Sequence, residues 1–176
     1  MPSIVELHPY NPNWAAMYQS EEAILKPIIG DQLVTIEHIG STSIPGIKAK
    51  PIIDILIVVL DIDSIQRLIP AMETIGYQHR GELGISGRQY FRKDTDSVRS
   101  HHVHIYQQGH EAITKHLNFR DYLRTHPARA QAYSQLKEGL AAKYREDRAA
   151  YTDAKTEFIE ETNQLAAAWR EGKIAD

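Results

Sequence analysis

Cysteine is absent from the sequence, so neither a disulfide bond nor a thiolate metal site can form. Long apolar runs are absent too, because the longest one, Pro51–Leu60, is too short to span a bilayer. No charge of one sign dominates: the formal net charge at pH 7 is −3, which gives no overall attraction to nucleic acid or anionic membranes. The first residues lack a basic segment followed by an apolar one, so we expect no signal peptide and a cytoplasmic location.

The composition that is present predicts one globular domain. The 176 residues include 42% hydrophobic and 24% charged side chains, and a chain of this length supports one core more readily than two. We therefore predict a single domain over residues 1–176, with an α/β core over 1–108 and a helical part over 109–176. The predicted class is α+β, with a mixed β-sheet of about four or five strands, helices on one side of it, and a helical C-terminal third.

Two apolar runs rich in β-branched residues form the predicted centre of the sheet. Val34–Ile39 has the composition of a strand, and Pro51–Leu60 is almost continuously apolar, as in a strand buried on both faces. Asp54 interrupts the second run. Because a buried carboxylate without a partner is costly, Asp54 either caps a turn or pairs with an arginine, or it is a metal-binding or catalytic acid.

The loop between these two runs contains small and hydroxyl-bearing residues. Gly40 allows close approach of a ligand or of another backbone segment. Ser41, Thr42 and Ser43 supply hydroxyl and backbone N–H groups that can bind an anion, and Lys50 adds positive charge nearby. Serine and threonine are also ordinary helix N-caps, so this loop taken alone permits a purely structural interpretation.

A predicted hairpin carries two histidines at strand spacing. Arg88–Lys93 and Val98–Tyr106 have strand composition, and the polar segment Asp94–Ser97 between them is typical of a tight turn. Alternation along the second strand places His102 and His104 on one face. Neighbouring imidazoles suit a shared metal ion or a phosphate group, and the alternative is a polar, partly exposed sheet face.

The last part of the chain shows helical spacing of apolar residues. A first helix follows Gly109, and Pro127 interrupts it. A second has its apolar positions between Ala132 and Tyr144, and a third between Tyr151 and Trp169.

The segment GSTSIPGIKAKPIIDI, residues 40–55, resembles the signature of the GrpB family, whose members have a nucleotidyltransferase (DNA polymerase β-like) fold. The resemblance implies a Gly-Ser turn that holds nucleotide phosphates, followed by acids on the next strand that hold a divalent metal. Gly40 and Ser41 match the turn, and Asp54 matches the first acid. The second acid of that pattern falls at Leu56, where this chain has no carboxylate.

Two further segments carry the resemblance. His102 and His104 match a His-x-His pattern of GrpB-like sequences, which implies that their face of the sheet meets Asp54. The segment FRDYLRTHPARAQAY, residues 119–133, resembles a second block of the family. Arg120 in this block and Lys155 are the basic residues that we place nearest to the ligand, with a surface ion pair as the alternative role of each.

The first functional hypothesis is a metal-dependent nucleotidyltransferase. Nucleotide phosphates would lie on the loop 40–43 and near Lys50, and Asp54, His102 and His104 would hold Mg²⁺, Mn²⁺ or Zn²⁺. Asp54 and His104 are the predicted catalytic residues. Imidazole ligands suit Mn²⁺ or Zn²⁺ better than Mg²⁺, which prefers oxygen.

Other functions are less well supported. A non-catalytic module that binds a nucleotide or another phosphorylated metabolite is the main alternative, and the missing acid at Leu56 favours it. An interaction protein that uses the C-terminal helices is a third hypothesis, although amphipathic helices are normally part of the core. Nucleic acid is not the expected partner, since the chain is weakly acidic.

Overall fold

The computed structural model describes residues 4–174. Helices and strands follow one another in this order: α1 (Asn13–Ile29), β1 (Leu33–Ile39), β2 (Ile53–Val59), α2 (Ile69–Thr74), β3 (Tyr77–His79), β4 (Arg88–Thr95), β5 (Val98–Gln107), α3 (Glu111–Thr125), α4 (Pro127–Lys143), α5 (Arg148–Asp153) and α6 (Thr156–Arg170). Short 3₁₀ segments lie at Gly30–Gln32, Ser41–Ser43 and Ile62–Leu68. Within the described residues, no helix combines the length and the apolar character needed to cross a membrane.

The five strands form one mixed sheet in the order β1-β2-β5-β4-β3. β2 and β5 are parallel, and the other neighbouring pairs are antiparallel. This arrangement confirms the predicted α+β class with a mixed sheet. The parallel register places Asp54 beside His102 and Leu56 beside His104, so the central strand and the histidine strand meet at the residues singled out in the sequence.

The hairpin of β4 and β5 turns at Asp96 and Ser97, as the sequence predicted for Asp94–Ser97. Both turn residues have positive φ, 52° and 65°, which is the backbone geometry that matches the twist of a two-residue hairpin. The tight turn joins β4 to β5, and their pairing shifts by one residue between Lys93 and Asp94. Alternation along β5 places His102 and His104 on the same face of the sheet.

Helices cover both faces of the sheet, whereas the sequence predicted helices on one side of it. On one face, Ile53, Ile55 and Ile57 of β2 pack in a core with residues of α1 and α2 such as Trp14 and Met72. Because β2 alternates, its other apolar side chains point to the opposite face, where they meet α3. The contacting residues there are Leu56, Val58, Tyr106, Ile113 and Leu117.

The C-terminal part, from α3 onward, is helical as predicted, but its last segment differs from the prediction. The single helix expected between Tyr151 and Trp169 is two helices, because α5 ends at Asp153 and α6 begins at Thr156. Turn hydrogen bonds close α5 at this point, from Ala154 N to Ala150 O and from Lys155 N to Thr152 O. The break leaves Tyr151 and Lys155 lining the same cavity beside the sheet.

Candidate metal and phosphate site

A carboxylate and two imidazoles meet where the beginning of β2 lies beside the middle of β5. His102 Nδ1 lies 3.0 Å from Asp54 Oδ1, at hydrogen-bond distance, and His104 Nε2 lies 3.6 Å from the same oxygen. His102 is directly beside Asp54 in the parallel register, while His104, two residues further along, leans back toward it. One strand therefore supplies the acid, and its neighbour supplies both imidazoles.

The charge of this cluster follows from its surroundings. Burial raises the pKa of Asp54, but hydrogen bonds and charge from His102 and His104 outweigh burial and hold that pKa well below its usual range. Asp54 is therefore ionised at neutral pH. Burial lowers the pKa of His104, which favours the neutral imidazole, the form that binds metal ions.

The backbone of Gly40 lies against this carboxylate. Its φ is +72°, and a Cβ at this position would lie 2.6 Å from Asp54 Oδ2. Any side chain here would displace the carboxylate, so the position requires glycine for both its conformation and its contact.

The three hydroxyls that follow Gly40 have different roles. Ser43 Oγ donates to Gly40 O at 2.6 Å, and Thr42 Oγ1 contacts His38 Nε2 at 2.9 Å, so both hydroxyls stabilise the 3₁₀ turn. Ser41 Oγ accepts a hydrogen bond from Lys137 Nζ at 3.0 Å. Ser41 and Thr42 line the cavity beside Asp54, and Ser43 does not.

Four cationic side chains within residues 4–174, here called the cationic wall, line the same cavity, which has a volume of about 250 Å³. They are Lys50, Lys137, Arg148 and Lys155. Lys50 and Lys155 also lie over the ring of Tyr151, at 5.2 and 4.4 Å from its centroid. Among the lining residues that the structure describes, Asp54 is the one carboxylate, so these side chains carry net positive charge.

Crowding of these cations affects their protonation. Burial, together with Arg148 and Lys155, lowers the pKa of Lys50 to about 8. Burial, together with Lys155 and Lys50, lowers the pKa of Lys137 to about 7. Burial is also the main cause of the lowered pKa of Lys155. The lining side chains therefore carry more positive than negative charge, and a bound anion would neutralise the excess.

The donor atoms fit a divalent metal ion. One ligand atom from each of Asp54, His102 and His104 lies within 4.8 Å of the others. His102 Nε2 is buried, and within residues 4–174 no hydrogen bond reaches it, so this imidazole has an unpaired nitrogen. One carboxylate with two imidazoles suits Mn²⁺ or Zn²⁺ better than Mg²⁺.

Leu56 stands where the expected pattern has its second acid. Its side chain is fully buried among residues that pack against α3, so this position offers no charge to the cavity. His104 lies beside Leu56 on the neighbouring strand and directs its ring to Asp54.

Not all sequence-predicted site residues come together. Lys50 and Lys155 line the cavity with Asp54 and His102, but Arg120 does not. Arg120 Nη1 lies 2.8 Å from Glu37 Oε2 and its Nε lies 2.7 Å from Asp121 Oδ1. Arg120 therefore forms the ion pairs that were its alternative role, and the structure does not bring it to this cavity.

Sequence reasoning missed Lys137, Arg148 and Tyr151. A signal for Lys137 exists, since the buried positions of α4 are Ala130, Tyr133, Ser134 and Lys137, at helical spacing. A lysine on an apolar helical stripe indicates a buried partner or a functional role. Arg148 and Tyr151 carry no comparable signal, because their position depends on how α5 packs.

Comparison with known proteins places these residues in a family. The sequence model of the family described as "GrpB protein" matches residues 4–165. "UPF0157 protein YqkA" of Bacillus subtilis is 44% identical over 169 residues, covering 96% of this chain and 49% of YqkA, so the chain spans about half the length of that relative.

Solved structures add a comparison of the fold. The crystal structure of GrpB from Enterococcus faecalis is 41% identical and has a TM-score of 0.87, covering 92% of this chain and 96% of the other. Cid1 poly(U) polymerase, in a structure bound to MgATP, has a TM-score of 0.46 at 11% identity, covering 74% of this chain and 45% of Cid1, a level that supports no conclusion about activity. On the family match and the two closely similar relatives, this chain belongs to the GrpB family.

Proposed function

We propose that the cavity binds a phosphate-bearing small molecule of the nucleotide class together with one divalent metal ion. The observation that carries the proposal is that both kinds of charge line one cavity. Asp54 and His102 line it together with the cations Lys50, Lys137, Arg148 and Lys155. A metal-bound polyphosphate matches both groups, because its oxygens bind the cations while its metal binds the carboxylate and imidazoles.

Electrostatics favour a multiply charged anion over a neutral ligand. Burial and, after it, neighbouring cations lower the pKa of both Lys50 and Lys137, so each lysine is harder to protonate here than in water. A phosphate group between them would favour the protonated forms and bind more tightly as a result. Phosphate affinity should therefore fall as the pH rises through 7 to 8, where these lysines lose their protons.

The size of the cavity limits what it encloses. A volume of about 250 Å³ lies below the range of about 300 to 1,000 Å³ that encloses a drug-sized ligand. The phosphate portion would therefore occupy the cavity, and the rest of the molecule would extend outside it. This supports recognition through phosphate and metal rather than through a deeply buried base.

Transfer of a nucleotidyl group is the second candidate function. The resemblance to the nucleotidyltransferase superfamily favours it, as does the contact of Asp54 with both His102 and His104 beside the phosphate wall. A bound metal ion would supply positive charge to the transferred phosphoryl group. The protein's own residues would hold that ion, and Lys50 and Lys155 would orient the phosphates. Leu56 in place of a second acid favours binding without turnover instead.

Thermal denaturation with nucleotides and metal ions tests the proposal. Nucleoside triphosphates with Mn²⁺, Zn²⁺ or Mg²⁺ should stabilise the protein by about 2.7 kcal/mol at 100 times the dissociation constant. Lys155→Met should weaken this effect, whereas Lys26→Met should not, because Lys26 pairs with Glu22 on α1. Asp54→Asn should remove the metal-dependent part.

The controls separate the two candidate functions. No stabilisation by any pair of nucleotide and metal would contradict both of them. Stabilisation without release of pyrophosphate, measured in the presence of candidate hydroxyl acceptors, would favour the binding module. Equal loss in the Lys155 and Lys26 variants would show that the cationic wall is not the binding surface.

A further inference from the structure

A second cavity shares no lining residue with the cationic one within residues 4–174. Its volume is about 470 Å³, and it is bounded by the glycine-rich loop 80–87, the end of β5, α3 and α6. Gly40 lines it directly. Gly40 also lies against Asp54, which lines the first cavity, so the two cavities are neighbours.

The lining of this second cavity is mainly apolar and carries no net charge. Ile85, Ala112, Phe119 and Ile159 supply the apolar surface. Its charged members, Glu111 and Lys115, pair with each other, with Lys115 Nζ 2.9 Å from Glu111 Oε1. The contrast with the four cations of the first cavity indicates a different class of ligand, one without phosphate.

One polar side chain of this cavity lacks a hydrogen-bond partner. His116 makes ring contacts with His104 and Tyr106, at 5.5 and 6.1 Å between centroids, but no hydrogen bond within residues 4–174. An imidazole nitrogen can accept a hydrogen bond, so a donor from a ligand would satisfy it.

The wall formed by the glycine-rich loop is fixed by two tethers. His110 Nε2 lies 2.9 Å from Ser86 O, and Arg88 Nη2 donates to Leu83 O at 2.8 Å. Arg88 Nη1 lies 3.4 Å from His104 Nδ1, so the same side chain connects this loop to the metal-binding cluster. Ile85 is thereby held against the cavity.

We infer that this second cavity is a binding site for an uncharged ligand with an apolar body and a hydroxyl or amide donor. Its volume lies within the range of about 300 to 1,000 Å³ usual for small-molecule sites, and a few polar groups set in an apolar lining are typical of them. The ligand would lie beside Gly40, in the cavity that neighbours the phosphate site. The inference does not depend on the proposed function, because it uses none of the cationic residues.

A matched pair of probes tests the inference by NMR. 1-Naphthol should shift the backbone amides of Ala112, Phe119 and Asn163 in a saturable manner, whereas 1-naphthyl phosphate should shift those of Lys50 and Arg148. Ala112→Phe fills the cavity and should weaken 1-naphthol binding by about tenfold or more without weakening binding of the phosphate probe.

Further variants keep the test decisive. Ile159→Trp fills the cavity from α6 and serves if Ala112→Phe does not fold. Ala128→Phe places the same aromatic group on the exposed face of α4 and should change neither probe's affinity. His116→Leu should weaken the binding of 1-naphthol, which has a hydroxyl donor, more than the binding of naphthalene, which has none.

Each outcome has a defined meaning. Unsaturable or scattered shifts with 1-naphthol, or shifts that survive both cavity-filling variants, would overturn the inference. Shifts from 1-naphthol alone would support it while contradicting the proposed phosphate site. Shifts from 1-naphthyl phosphate alone would support the proposed phosphate site and overturn the inference.

Discussion

Replacing Lys137 with methionine should remove a defined part of the pH dependence of folding stability. The Lys137 side chain is buried, with 2% of the residue's surface exposed. Its Nζ donates to Ser41 Oγ at 3.0 Å and also to Lys48 O. Burial and the nearby Lys155 and Lys50 lower its pKa from 10.5 to about 7.

The sign of the effect follows from this shift. Between pH 7 and 10.5, Lys137 is mostly neutral in the folded protein and protonated in the unfolded chain, so unfolding takes up a proton. Its contribution to the free energy of unfolding therefore rises by about 1.4 kcal/mol for each pH unit in that window. Below pH 7 both states are protonated, and the contribution is constant at its least favourable value.

Urea denaturation of wild type and Lys137→Met at pH 8 and pH 9 measures the effect. Methionine does not titrate, so the difference in unfolding free energy, wild type minus variant, should rise by about 1.4 kcal/mol over that interval. Lys48→Met is the matched control, because Lys48 is partly exposed and pairs with Glu138 at 2.9 Å. For Lys48→Met, the difference in unfolding free energy from wild type should change by less than about 0.5 kcal/mol between pH 8 and pH 9.

A flat difference for Lys137→Met, indistinguishable from the Lys48 control, would falsify the reasoning. It would show that Lys137 stays protonated in the folded protein throughout this range. All four lysine and arginine side chains of the cationic wall could then be protonated without a bound anion. A loss of phosphate affinity between pH 7 and 8 could then not be attributed to deprotonation of Lys137.

Three further predictions concern the cluster and the glycine-rich loop. Asp54→Asn should weaken Mn²⁺ or Zn²⁺ binding by about 100-fold, measured by titration calorimetry, and unchanged affinity would exclude it as a ligand. Gly40→Ala should destabilise the fold by about 1 to 3 kcal/mol through its clash with Asp54, whereas Gly139→Ala, which meets no atom within 4 Å, should not destabilise it. Arg88→Met should speed hydrogen exchange in residues 81–87, and unchanged protection there would show that the loop does not depend on this tether.

Local sequence patterns were enough to predict the central strands of the sheet, whereas the acid–imidazole cluster was predicted only with the family resemblance. A continuous apolar run marks a strand buried on both faces, and a single acid within it requires a partner, as Asp54 shows. Alternation along β5 put His102 and His104 on one face without knowledge of the neighbouring strands. The family resemblance then implied that this face meets Asp54, and the parallel register shows the contact.

The sequence by itself determined the hairpin of β4 and β5 and the faces of β5, because these depend on neighbouring residues. The need for glycine at position 40 depends in part on Asp54, which the pairing of β1 with β2 brings beside it. Only the tertiary structure decided which cations face Asp54. Lys137 lies 96 positions from its hydrogen-bond partner Ser41, and Arg120 lies 83 positions from Glu37. Contacts at such separations are set by how α3, α4 and α5 pack on the sheet, and local periodicity specifies which face of a helix is buried but not what that face meets.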